Sequence, residues 1–166
     1  MKKLIVVSGT MGVGKTATCK VLYKMAPRSA WLDGDWCWLM NPWDMSDENK
    51  AMAMGNISTV LCSYLYNSTF SNVIFSWVLH KKETIDDLLG RLSGRPYELH
   101  AYSLVCTPEE LARRMRMDGR DPMQIKASSD RLQLYHDIGW PVVDTTGMSA
   151  EETAREIFML SGMEPE

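Results

Sequence analysis

The chain has 166 residues, enough for one domain around one sizeable core, and its 45% hydrophobic and 23% charged content is that of a folded globular protein. A formal net charge of −3 gives no electrostatic reason to expect nucleic acid or an anionic membrane as a default partner. No apolar run approaches the roughly 20 residues of a membrane span, and the run after Met1-Lys2-Lys3 stops at Ser8-Gly9, too soon for a signal-peptide core.

Strands and helices alternate along the chain, the pattern of a parallel α/β sheet. Leu4-Ile5-Val6-Val7 reads as a strand buried on both faces. A glycine-rich turn follows, then a helix from Lys15 to about Met25, ended by Pro27. Ala30-Trp31-Leu32 is a short second strand, and a Trp-rich loop runs on to Asp44. Ser46 caps a long helix through Met52, Ile57, Leu61 and Leu65, with a break expected at Gly55-Asn56. Residues 72–77 form a third strand. Thr84 to Leu92 is a helix stopped near Gly94, and His100 to Cys106 is a fourth strand. Thr107-Pro108-Glu109-Glu110 is a capping box opening a helix to about Met117. A basic segment and a helix through Arg131 and Tyr135 follow. Pro141 to Asp144 is a fifth strand, and Ser149 to Glu152 opens the last helix. Cys19, Cys37, Cys62 and Cys106 are scattered without a C-x-x-C pair, so free thiols in a reducing cytoplasm are expected.

The sharpest motif is Gly9-Thr10-Met11-Gly12-Val13-Gly14-Lys15-Thr16, which fits G-x-x-x-x-G-K-[ST] between a buried strand and a helix. Such a loop wraps a polyphosphate with inward backbone N–H groups, and the helix dipole adds positive potential. Lys15 is then expected at the β- and γ-phosphates and the Thr16 hydroxyl on Mg²⁺. ATP and Mg²⁺ are the cofactors this motif predicts. Asp33-Gly34-Asp35 follows the second strand on the edge where parallel sheets bind ligands. Asp35 is placed there to orient an acceptor hydroxyl and take its proton, and Asp33 to hold Mg²⁺. Asp-Gly is also a common turn dipeptide, which is the structural alternative.

The P-loop followed by Trp31-Leu32-Asp33-Gly34-Asp35 resembles the shikimate and gluconate kinase group and chloramphenicol phosphotransferase, members of the nucleoside-monophosphate-kinase-like fold. The resemblance implies a three-layer α/β P-loop fold, a five-stranded parallel sheet in the order 2-3-1-4-5 with helices on both faces, a helical acceptor-binding region over residues 36–72 and a lid over residues 113–130, all in one domain spanning residues 1–166. It implies that the Asp at the place of Asp35 contacts the hydroxyl that is phosphorylated. Arg113, Arg114, Arg116 and Arg120 put four arginines in eight residues at a helix end. By resemblance Arg116 and Arg120 are the nucleotide contacts, Arg120 also acting on the transferring phosphoryl group, with Gly119 as a hinge and Arg131 as a further arginine on the nucleotide. The adenine is expected against the loop holding Thr146 and Gly147. A solvated basic helix end is the alternative for the arginines.

Trp36, Trp38, Trp43 and Trp77 fall after strands two and three, where aromatic faces can stack on a flat ring or sugar. Trp36, Trp77 and His80 are the candidate acceptor contacts beside Asp35. Few basic residues lie between Asp35 and Asn72, which departs from kinases of highly anionic acceptors and suits an uncharged hydroxylated one. The third strand ends Phe75-Ser76-Trp77 without an acidic residue, which argues against a mechanical or AAA-type ATPase; Ser76 is expected instead to contact Mg²⁺ through water. The sequence therefore predicts a cytoplasmic kinase of a small hydroxylated molecule, monomeric or homodimeric, with no nucleic-acid or membrane partner. A nucleotide switch, for which Asp144-Thr145-Thr146-Gly147 supplies D-x-x-G but no N-K-x-D follows, and a polynucleotide kinase are the competing readings.

Overall fold

The computed structural model describes residues 1–94 and 96–165. Its centre is β1 (Lys2–Gly9), which pairs in parallel with β3 (Asn72–Trp77) on one side and β4 (Tyr97–Val105) on the other. The edges are β2 (Ser29–Asp33) beside β3 and β5 (Val142–Asp144) beside β4, giving the expected order β2-β3-β1-β4-β5. The pleat sends alternate residues of β1 to opposite cores. Ile5 and Val7 pack with Leu22, Leu104 and Ile157, while Leu4 and Val6 pack with Ile57, Leu61, Phe75 and Leu88. Helices α1 (Lys15–Met25) and α7 (Ala150–Leu160) cover the first core. Helices α2 (Asp47–Tyr66) and α3 (Lys82–Arg91) cover the second. Three shorter helices lie between β4 and β5: α4 (Pro108–Met117), α5 (Pro122–Ser129) and α6 (Leu132–Asp137).

Several local expectations are revised. Helix α2 runs unbroken through Gly55-Asn56, because the buried row Met54, Ile57, Leu61 and Leu65 continues across it. Packing on that row outweighs the ~1 kcal/mol glycine penalty. Residues Gly34–Trp38 form a 3-10 helix rather than a loop, capped by the Asp33 carboxylate accepting from the Asp35 N–H. The single helix expected through Arg131 and Tyr135 is two, α5 and α6, with Arg131 at the break and its N–H on the Ser128 carbonyl at 3.2 Å. The box at Thr107 closes only halfway. Its hydroxyl accepts from the Glu110 N–H, but the Glu110 carboxylate turns to Arg113 and Arg114. The Thr107 N–H is satisfied instead by the Thr146 hydroxyl at 3.0 Å. Full boxes form at Ser149–Glu152, as expected, and at Asp121–Gln124. Among the described residues all four cysteines are free, Cys19 and Cys106 buried, and no helix is long and apolar enough to cross a membrane.

Candidate active site

Strand β1 delivers Gly9 to the edge of the sheet, and the chain must turn there within a space fixed by its neighbours. A Cβ on Gly9 would stand 2.7 Å from Val13 Cγ1, and one on Gly12 would stand 2.3 Å from the Met115 side chain of α4. Gly12 and Gly14 also hold φ of +81° and +109°, a region L side chains avoid. The loop thus needs glycine for its own packing as well as for a ligand. Gly14 is the N-cap of α1 and has no side chain to satisfy the first N–H groups, so that helix end stays open to an anion.

Lys15 folds back, its Nζ donating to the Thr10 carbonyl at 2.9 Å. Burial lowers its pKa from 10.5 to about 8, against the opposing pull of Asp35 and Asp33. The Thr16 hydroxyl donates to Asp33 Oδ2 at 2.8 Å, and Asp33 Oδ1 accepts the Asp35 N–H at 3.1 Å. Asp33 is buried and Asp35 stands at the mouth. Partial desolvation, then the Asp33 charge, raise the Asp35 pKa, while Lys15 and a hydrogen bond from the Trp77 side chain pull it back. Lys15, Thr16, Asp33 and Asp35 are therefore gathered at one edge, as the sequence predicted. Among the described residues no cluster of three or more His, Cys, Asp or Glu could cage a metal. The paired hydroxyl and carboxylate of Thr16 and Asp33 suit Mg²⁺, which takes one or two protein ligands and fills the rest with water and phosphate oxygens.

Beside the loop, a cavity of about 260 Å³ opens between Gly12–Gly14, Arg113 and Arg114 of α4, and Thr145 and Met148 after β5. Arg114 builds much of it. Its Nε bonds Glu110 at 2.7 Å, its Nη1 the Val13 carbonyl at 2.8 Å and its Nη2 the Thr145 carbonyl at 2.7 Å. The arginines expected here were Arg116 and Arg120. They line a separate groove between α4 and α5 with Ile125 and Lys126. Helix phase explains the correction: at 3.6 residues per turn, positions 113, 114 and 117 take one flank of α4 and 112 and 116 the other. Thr146 and Gly147 sit beside the cavity, and Thr145 and Met148 line it. The Thr146 hydroxyl is used by Thr107 and Asp144. Asp144 accepts both the N–H and hydroxyl of Thr146, so D-x-x-G here is a local turn.

Past Asp35, Trp36 is half-exposed and packs at a tilt against Trp31, 4.9 Å between centroids. Trp43 and Leu39 are exposed further along. Trp77 is partly buried and lies so close over Gly34 that a Cβ there would be 2.4 Å from its ring, and its side chain helps hold the Asp35 pKa down. His80 bonds the Val78 carbonyl through Nδ1 at 3.1 Å, so its neutral form carries the proton there and leaves Nε2 as an acceptor. Burial lowers its pKa, and the Arg131 and Lys81 charges lower it further. This places Arg131 near His80. Ser76 is fully buried, accepts from the Trp31 indole at 3.0 Å and bonds the Cys19 thiol, so its hydroxyl is already used. Residues the sequence did not single out are Thr145, Met148 and Ser128, whose hydroxyl donates to the Met11 carbonyl. No motif marks them, because they meet the loop only through the fold.

The fold is shared with the tunicamycin resistance protein of Deinococcus radiodurans (19% identity, TM-score 0.78, covering 99% of this chain and 98% of that one). It is shared with a gluconokinase from Sinorhizobium meliloti (18%, TM-score 0.70, covering 96% and 91%). The shikimate kinase of Acinetobacter baumannii, solved with shikimate, is also similar (18%, TM-score 0.64, covering 96% and 92%). No curated protein sequence matches significantly. Residues 5–135 match a family model described as an AAA domain. By this match over most of its length, the chain belongs to the AAA domain family; the absent acidic residue after β3 bears on its chemistry and not on that membership.

Proposed function

We propose that this protein is an ATP-dependent phosphotransferase that moves the γ-phosphoryl group to a hydroxyl of a small molecule, with Asp35 as base. The observation that carries the reading is the meeting of Lys15, Thr16, Asp33 and Asp35 at the end of a P-loop, the last two on one short turn. Phosphoryl transfer asks mainly for positioning and charge neutralisation. The loop N–H groups and Lys15 bind the phosphates, and the cavity between Arg114 and Met148 receives the base. Thr16 and Asp33 would hold Mg²⁺, which neutralises charge on the phosphates when bound. Asp35 accepts the proton of the acceptor hydroxyl as its oxygen bonds the γ-phosphorus and the bond to ADP breaks. Its raised pKa makes it a better base than an ordinary carboxylate.

Two of the structural relatives are named gluconokinase and shikimate kinase, which supports a small hydroxylated acceptor. Between Asp35 and Asn72 the only basic residue is Lys50, and Trp36, Leu39 and Trp43 are exposed, so an uncharged acceptor with an apolar face fits best. Residues 113–130 act as the lid, and the protein works in the cytoplasm on ATP with Mg²⁺.

A screen of hydroxylated metabolites and antibiotics for ADP release tests the reading. With an acceptor in hand, Asp35→Asn should lower acceptor-dependent turnover by about 10²- to 10⁴-fold while ATP still binds. Turnover left intact would remove Asp35 from the chemistry. A tight preference for GTP would favour a switch, and salt-sensitive oligonucleotide binding a polynucleotide kinase.

A further inference from the structure

We infer that Ser128 and Arg114 are positioning residues for the phosphate cradle, which hold two P-loop carbonyls from outside and thereby aim two P-loop N–H groups at the anion. The inference rests on the nucleotide reading above and adds residues that lie outside the motif. Ser128, at the end of α5 and almost fully buried, donates its hydroxyl to the Met11 carbonyl. The Thr10 hydroxyl donates to the Ser128 carbonyl at 2.8 Å, so the contact is made from both sides. Arg114 donates to the Val13 carbonyl at 2.8 Å, and its guanidinium is fixed by Glu110 and by Thr145.

The peptides after Met11 and Val13 are trans. In a trans peptide the carbonyl and the following N–H point in opposite directions. Holding the Met11 carbonyl toward α5 therefore turns the Gly12 N–H away from α5. Holding the Val13 carbonyl toward α4 turns the Gly14 N–H away from α4. Neither N–H has a backbone acceptor among the described residues. Both are glycine N–H groups at positive φ, where the backbone rotates at little steric cost. Left alone, these two peptides would sample other orientations, and binding would have to order them. The third hold, from Lys15 to the Thr10 carbonyl, is one that Lys15 gives up when it reaches for phosphate. Ser128 and Arg114 are the holds that persist. Because both belong to residues 113–130, docking of that segment and readiness of the cradle are the same event.

Calorimetry on the full chain with pyrophosphate, ADP and adenosine tests this. Ser128→Ala should weaken pyrophosphate and ADP about five- to tenfold, the worth of one hydrogen bond, and leave adenosine unchanged. Ser128→Thr, which keeps the hydroxyl, should recover most of the loss. Arg114→Gln should weaken pyrophosphate similarly, and stands as the second variant should Ser128→Ala not fold. In ligand-free ¹⁵N spectra, Ser128→Ala should move the Gly12 amide more than Gly14, and Arg114→Gln the reverse. Equal losses for adenosine and ADP, or folded variants that bind pyrophosphate like the parent, would overturn the positioning role alone. A parent protein that binds neither pyrophosphate nor ADP would overturn the nucleotide reading and this role with it.

Discussion

Residues 9–16 are held from three sides, by Met115 and Arg114 of α4, by Ser128 of α5 and by Asp33 at the end of β2. Across Asp35, residues 36–45 leave Trp36 48%, Leu39 83% and Trp43 64% exposed. One side of the cleft is over-determined and the other is open. On the proposed phosphotransferase reading, the difference follows from what each side must recognise. A triphosphate is the same anion in every turnover, and a cradle ordered in advance spends no binding energy on ordering itself. An acceptor differs from enzyme to enzyme, and a surface segment with few internal ties can change without disturbing the sheet. Asp35 sits on the boundary, its backbone fixed by Asp33 and its carboxylate close enough to Lys15 and Trp77 to feel both.

The strongest way to break this contrast is at its rigid end. Lys15→Ala should lower turnover by about 10³-fold while the melting temperature does not fall, because the lysine serves the anion more than the core. A variant that keeps its activity would show that the loop does not hold the phosphates. Gly12→Ala should act on both fold and function. It forces a Cβ into Met115 at a φ of +81°, and a denaturant titration should show a loss of about 1–3 kcal/mol. Pairing it with Met115→Ala should relieve the overlap but not the backbone strain, so recovery should be partial. Full recovery would mean that the positive φ matters little, and no initial loss that the loop is not packed as described.

The rigid side was also the more legible side in sequence. The G-x-x-x-x-G-K-[ST] spacing is dictated by local geometry between β1 and α1, so Lys15, Thr16 and the glycines could be placed from sequence alone. Asp33 and Asp35 were found because they end a strand on the ligand edge. The strand order came with the family resemblance, not from periodicity. The long-range supports escaped: Arg114 meets Val13 across 101 positions and Ser128 meets Met11 across 117, and no local pattern encodes such pairings. The grooves that the arginines line were hidden for a related reason. Arg116 and Arg120 match the resemblance, but the roll of α4 is set by Leu111 and Met115 in the core, and that roll points Arg113 and Arg114 to the cavity. Trp77 was read as an acceptor face because sequence shows its position after β3 and cannot show Gly34 beneath it.

A change of pH sharpens the contrast more gently. With its pKa lowered to about 8, Lys15 loses its proton as pH rises through that value in the ligand-free protein. ADP affinity should therefore fall above pH 8, by at most tenfold per unit. Stability carries the opposite sign. Between about 8 and 10.5 the unfolded chain holds the Lys15 proton and the folded chain does not, so this group makes the folded state relatively more stable as pH rises. Affinity and melting temperature moving together, or an affinity flat to pH 10 in the parent and equal to that of Lys15→Met, would contradict a desolvated lysine within reach of the two carboxylates.

The smallest expected effect is the one that probes the open side. Trp36 keeps one face on Trp31 and leaves the rest to solvent, so truncating it should disturb the sheet little. If its exposed face meets the acceptor, Trp36→Ala should raise the acceptor KM about fivefold, as expected for an aromatic contact of roughly 1 kcal/mol, and leave the KM for ATP unchanged. Trp36→Phe should retain most of the parent value. Both KM values rising together would mean that the tryptophan stiffens the turn carrying Asp33 and Asp35, and the open side would then be a support of the rigid one rather than a separate recognition surface. A KM for the acceptor that stays at the parent value would move the recognition surface elsewhere, with the neighbouring pair His80 and Arg131 the next to be substituted.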